Sequence, residues 1–109
     1  MNYKILRSNN FSKQFKKLSK KYQSLLFGYE SFLEFLNLNP QQGALLGNNC
    51  YKVRMKITSK QQGKSGSARI ITYVVIKEST ITLLDIYDKS EKDSITDKEL
   101  QVLIKKAIQ

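Results

Sequence analysis

The side chains in this sequence that could do chemistry are mostly cations, and they are regularly spaced. Lys52, Arg54 and Lys56 alternate with Val53, Met55 and Ile57, and Arg69 stands inside the apolar run Ala68, Ile70, Ile71. Tyr87, Lys89 and Lys92 lie close together further on, Lys60 and Lys64 flank Gly63, and Lys13, Lys16, Lys17, Lys20 and Lys21 crowd one early segment. An arginine is always charged and offers planar forked donors, which suits the oxygens of a phosphate. Lysine or tyrosine moves a proton when its surroundings tune its pKa, or when proton transfer lags behind bond change at the reacting centre.

What is missing narrows the chemistry further. Among 109 residues there are 19 Lys plus Arg, 9 Asp plus Glu and no His, a net charge of +10. That surface favours polyanions, nucleic acid or an acidic membrane, over neutral small substrates. Without histidine, catalytic triads, zinc proteases and histidine-based ribonuclease chemistry are excluded, and no metal or cofactor is implied. The lone Cys50 can form neither an internal disulfide nor a thiolate metal site, which fits a reducing cytosol, and it reads as a small buried residue beside a strand. Polar Ser8, Asn9 and Asn10 follow the first seven residues, so no signal peptide is expected. No stretch approaches the roughly 18 apolar residues of a membrane span. A cytoplasmic location and a single domain over residues 1–109 are the expectation.

The charge is blocked along the chain. Residues 1–22 carry seven bases and no acid, 23–50 two acids and no base, 51–77 seven bases and no acid, and 78–109 five bases and seven acids.

These blocks map onto elements. Residues 3–7 can form a short strand, after which Ser8, Asn9 or Asn10 can cap a helix whose Phe11, Phe15, Leu18 and Tyr22 recur on one face. The five lysines fall on its remaining surface. A second helix over about 24–37 carries Leu25, Leu26, Phe32, Leu33, Phe35 and Leu36, a stripe broad enough to predict deep burial, and ends before Pro40. Residues 43–49 read as a loop. The alternation at 52–57 predicts a strand that buries Val53, Met55 and Ile57 and presents three cations on its other face. Residues 60–67 read as a basic loop, and 68–77 and 80–87 as an antiparallel hairpin. Thr96 and Glu99 have capping-box spacing ahead of a final helix bearing Leu100, Leu103, Ile104 and Ala107. The order is β-α-α-β-β-β-α: an α+β domain with an antiparallel sheet, two N-terminal helices on one face, and a C-terminal helix.

Residues 60–73 read KQQGKSGSARIITY and residues 83–92 read LLDIYDKSEK. With the helices around them, these segments resemble the RelE/HigB family of bacterial type II toxins, nearer its HigB-like branch, over essentially the whole chain. The lysine- and glycine-rich loop leading to Arg69 and the Tyr-x-Lys-x-x-Lys pattern of Tyr87, Lys89 and Lys92 carry the likeness; Ser67 stands where relatives often have a second glycine. The resemblance implies a RelE-like fold and a small, metal-independent endoribonuclease that cuts messenger RNA in the ribosomal A site. It also implies silencing by a cognate helix-turn-helix antitoxin, and a toxin that is monomeric when alone.

Cutting RNA this way requires the ribose 2′-OH to attack the adjacent phosphate, so cations belong where negative charge develops. Arg69 is the candidate for the transition-state phosphate; an ion pair with Asp85 is the structural alternative. Tyr87 is a candidate for base stacking or proton transfer, or else a core-closing aromatic. Lys89 is the candidate acid or base, and Lys52, Arg54 and Lys56 would grip the messenger, with Lys56 placed in the reaction centre, or form a solvated face. Lys60, Lys64 and Lys92 would rim the site. Period-two parity puts Arg69 with Ile71 and Tyr73, and Tyr87 with Leu83 and Asp85; a hairpin register that aligns these sets leaves Ile70, Val74, Leu84 and Ile86 for the helices. The lysine face of the first helix would meet ribosomal RNA or only water. Like charges at i and i+4, such as Lys13 with Lys17, cost a few tenths of a kcal/mol each unless a polyanion relieves them. Two other readings fit the same residues: a non-catalytic RNA- or ribosome-binding module, and a ParE-like toxin directed at gyrase.

Overall fold

The computed structural model describes residues 2–58, 65–92 and 94–108. The chain runs β1 (Lys4–Arg7), α1 (Asn9–Lys21), α2 (Leu25–Leu38), β2 (Ala44–Gly47), β3 (Cys50–Thr58), β4 (Ser65–Val75), a 3-10 turn (Ile76–Glu78), β5 (Thr80–Asp88) and α3 (Asp97–Ile108). The strands form one sheet in the order β1-β5-β4-β3-β2, with β1 parallel to β5 and the other neighbours antiparallel. The α+β class and the helix placement follow the sequence pattern. The sheet differs from it in being mixed: β1 lies parallel beside β5, which a parallel pair permits because everything from α1 to β4 forms the crossover. It also has one strand more than expected. Residues 43–49 contain β2, because Asn48 and Asn49 both take positive φ, 52° and 63°, and close a two-residue hairpin into β3.

Local signals explain the helix ends. Ser8 caps α1, its Oγ accepting from the Phe11 N–H at 3.0 Å, and Lys20 and Lys21 in the last turn complement the helix dipole. At α3 the capping box forms as spaced: Thr96 N–H donates to Glu99 Oε1 and Glu99 N–H to Thr96 Oγ1, each at 3.1 Å. In α2 the burial is narrower than its composition predicts. Leu25, Tyr29, Phe32 and Leu36 are buried, but Leu26 and Phe35 are exposed, as are Phe27 and Leu38. A helix lying on a sheet covers one stripe, and the i, i+4, i+7, i+11 set fills it.

The sheet has a core on each face. Beneath α1 and α2, Phe11, Leu18, Tyr29 and Phe32 pack on Val53, Met55, Ile57, Ile70, Val74, Ile81, Leu83 and Ile86. On the opposite face, Cys50, Ile71, Leu84 and Tyr87 pack with Ile95 and Leu100, at the start of α3. Leu84 is therefore not with Ile70, Val74 and Ile86 as parity predicts. The register slips between Ile71, which faces Asp85, and Thr72, which faces Leu83, so Leu84 is the extra residue of a β-bulge and joins the second core.

Where α2 hands over to β2, Gly43 holds φ +97°, and a Cβ there would run into the Lys52 carbonyl. Gly43→Ala is expected to cost on the order of 2 kcal/mol, lowering Tm by roughly 10 °C. A thermal melt indistinguishable from the parent would contradict this account of the β2 entry.

Candidate functional site

The register brings most of the singled-out residues onto one face. Cross-strand partners point the same way, so Arg54 opposite Arg69 and Arg69 opposite Tyr87 form a row across β3, β4 and β5. On one side of this row Lys56 faces Ser67, whose carbonyl accepts from the Lys89 N–H at 3.1 Å; on the other Lys52 faces Ile71. Arg54, Lys56 and Lys89 are exposed, and Arg69 and Lys52 half-buried. Arg69 Nη1 donates to Ser67 Oγ at 3.1 Å, which holds the guanidinium along its own strand toward the Lys56 row. Among the described residues the ion pairs are Lys21 with Asp88 and Glu91, and Lys92 with Glu99. The sheet-face cations thus have no carboxylate partner, and Arg54 opposite Arg69 is a like-charge pair that an anion would relieve.

Asp85 is not the partner of Arg69. At the bulge it turns to the outer edge of β5, where its Oδ1 accepts from the Ile86 N–H at 2.9 Å and from Asn10 Nδ2 at 3.1 Å. Burial pushes its carboxyl up, against the pull of those two donors. Tyr87 shares the face of Arg69, yet its ring is only 9% exposed: it closes the second core, with Lys92 Nζ 5.4 Å from its centroid. Stacking on a base is not open to the ring in this arrangement. Lys92 is in turn bound to Glu99 at 2.6 Å, and that ammonium with the Thr96 donors holds Glu99 at about 2. Cys50 is buried, which pushes its thiol up to about 12 and makes it inert.

The other basic block is in a different layer. Lys13, Lys16, Lys17 and Lys20 are exposed on α1, across the sheet from Arg69, while Lys21 is drawn to Asp88 at 3.1 Å and Glu91 at 3.3 Å. Lys60 and Lys64 lie outside the described residues. A cavity of about 630 Å³ runs beside β5 beyond the end of β1, and Asp85, Tyr87, Glu91, Lys92 and Glu99 are among the residues lining it. It shares Tyr87 and Lys92 with the expected site but not Arg69, Lys56 or Lys89, and its three carboxylates disfavour a phosphate.

One residue that positions this region was not singled out in the sequence. Asp88, buried at the end of β5, accepts from Tyr22 Oη at 2.7 Å, Lys21 Nζ at 3.1 Å and the Ser90 N–H at 3.0 Å. Its carbonyl takes the Glu91 and Lys92 N–H groups, so it fixes the turn that carries Lys89. Asp followed two residues later by Ser in a strand-end turn is the available sequence signal. Burial alone would push the carboxyl up, but the Tyr22, Ser90 and Lys21 donors outweigh it and hold it at about 2. The stabilisation is therefore complete above the unfolded value near 4 and fades as pH falls through 2. Asp88→Asn is expected to remove on the order of 2 kcal/mol at pH 7 and to flatten the acid limb of Tm between about pH 4 and 2. An unchanged acid limb in the variant would mean the network does not hold this turn.

No family model matches the sequence. Among solved structures, an arginine double mutant of the E. coli toxin RelE in the free state matches with a TM-score of 0.58 at 14% identity, covering 99% of this chain and 96% of that one. At that identity the likeness is one of fold, and it extends over the full length. The chain has a RelE-like α+β fold: a sheet with two N-terminal helices on one face and a C-terminal helix on the other.

Proposed function

We propose that the chain is the toxin of a type II toxin–antitoxin pair, of the HigB-like branch, and cuts messenger RNA on the ribosome without a metal. The observation that carries this reading is the row of unpaired cations across β3 and β4, flanked by Lys89, on a RelE-like sheet. A phosphate over the Arg54 and Arg69 pair would face guanidinium donors where its oxygens gain charge. The 2′-oxygen bonds to phosphorus, the bond to the 5′-oxygen breaks, and Lys56 and Lys89, both on the Ser67 row, are placed to handle the two protons. The α1 lysines supply a second cationic surface for ribosomal RNA. The exposed Phe27 and Leu38 on α2, in the block without bases, form a surface suited to a protein partner such as the antitoxin.

A non-catalytic RNA-binding module is the second reading, favoured by one observation: Tyr87 is packed into the α3 core and is not presented to a ligand. Inducing the chain in bacteria and mapping messenger 5′ ends separates the two. The parent is expected to arrest growth and create new ends within codons, and Arg69→Ala to lower cutting by roughly 100-fold or more. Tyr87→Phe, which keeps the ring, is expected to cut like the parent if the ring only packs, whereas loss of cutting in a folded variant assigns the hydroxyl to the reaction. Intact messengers in the parent, or equal cutting by Arg69→Ala, would sink the nuclease reading.

A further inference from the structure

A second site adjoins the cation row at the outer edge of β3. The pairing with β2 ends at Lys52, and from Val53 onward α2 faces this edge. Gly28 allows the approach: a Cβ there would lie 2.9 Å from the Lys56 carbonyl. Between Gly28, which closes the edge at Lys56, and Gly43, which closes it at Lys52, a groove of about 300 Å³ remains, lined by Ser31, Phe35, Gln42, Arg54 and Lys56 among others.

Three properties of the groove converge. Gln42 Nε2 is buried and has no hydrogen-bond partner among the described residues, a donor whose burial is costly until an acceptor arrives. Phe35, on the wall, is 61% exposed and offers an aromatic face. Arg54 and Lys56 line the groove and also belong to the cation row, so the groove begins where the phosphate track ends. A flat apolar wall, an unsatisfied amide and adjoining cations are the requirements of a nucleobase held by stacking and edge hydrogen bonds beside its own phosphate. An added peptide strand is excluded by the closures at Lys52 and Lys56. Inorganic phosphate would leave the aromatic wall unused.

We propose that this groove binds a single unstacked nucleobase of the RNA strand, next to the phosphate held at Arg54 and Arg69. The proposal rests on the reading of the sheet face as an RNA surface and adds to it where a base is gripped. It names a base contact that does not depend on Tyr87.

The test is a titration of the purified, isotope-labelled chain with nucleoside monophosphates, following the Gln42 side-chain amide by NMR, with ribose 5-phosphate and inorganic phosphate as controls. The nucleotides are expected to shift the Gln42 amide saturably and the controls not to. Phe35→Ala, read at the Gln42 amide, and Gln42→Ala, read at the backbone amides of Ser31 and Arg54 in the groove, are each expected to weaken binding about tenfold. Phe35 is exposed, so its variant keeps the fold. An equal response to ribose 5-phosphate or phosphate, or shifts elsewhere with Gln42 unmoved, overturns the base site. If the chain cuts messenger but binds nucleotides equally well with and without Phe35 and Gln42, the groove proposal fails and the nuclease reading stands. If the Gln42 amide responds to nucleotides but no messenger is cut, the groove stands and the nuclease reading fails.

Discussion

The extra residue at Leu84 is the constraint on which the two-faced sheet depends. In a regular strand the parity of β5 would place Leu83, Asp85 and Tyr87 on one face and Leu84 and Ile86 on the other. The bulge opposite Ile71 breaks that rule once: Leu83 goes under α1 and α2, Leu84 goes to the Ile71 and Tyr87 core, and Asp85 is turned to the strand edge. Both helical layers then have an apolar surface to cover. Downstream of the bulge, parity resumes in time for Arg69 and Tyr87 to pair. A slip of one residue here would move Tyr87 to the other face and leave α3 without its central aromatic.

The same local geometry protects the open edges of the sheet. β1 covers β5 only as far as Leu83; beyond it Ser8 Oγ and Asn10 Nδ2 donate to the Leu84 carbonyl and Asp85 takes the Ile86 N–H. Side chains have replaced a strand, and a charge stands where another chain would add. On the far edge, β3 is guarded by α2 through the contact at Gly28. Exposed strand edges invite association, and the stretches of β5 and β3 that run past their neighbours β1 and β2 are covered in this way, which leaves β1 and β2 as the outermost strands.

Much of this was legible in the sequence because it follows from period and spacing. The burial of Val53, Met55 and Ile57 against exposed Arg54 and Lys56, the Thr96 and Glu99 capping box, and the α1 stripe are all local patterns, and local patterns survive folding. The bulge was not legible, since the run at 80–88 is apolar on both parities and pairing alone decides which residue is extra. The burial of Asp88 needed Tyr22 and Lys21, far away in sequence, to make a buried carboxylate tolerable. β2 was hidden in a short segment whose signal was the Asn48 and Asn49 reversal rather than any alternation. The overreach in α2 has a related cause: composition counts apolar residues, whereas burial counts the arc a sheet can cover.

The cation row shows how charge and packing are divided between the layers of this fold. Arg69 is flanked in sequence by Ala68 and Ile70, both fully buried, so β4 pins its backbone from the core side while the guanidinium remains half-exposed on the other face. Tyr87, its cross-strand partner, is held by α3, and α3 is held in turn by Lys92 bridging the ring and Glu99. The carboxylates of this region are therefore spent on structure: Asp85 on the strand edge, Asp88 on the turn, Glu99 on the helix cap. Among the described residues no carboxylate forms an ion pair with Arg54, Lys56, Arg69 or Lys89. In a chain with no histidine, a row of cations left without ion pairs while Asp85, Asp88 and Glu99 are engaged elsewhere has the charge distribution that a phosphate would complement.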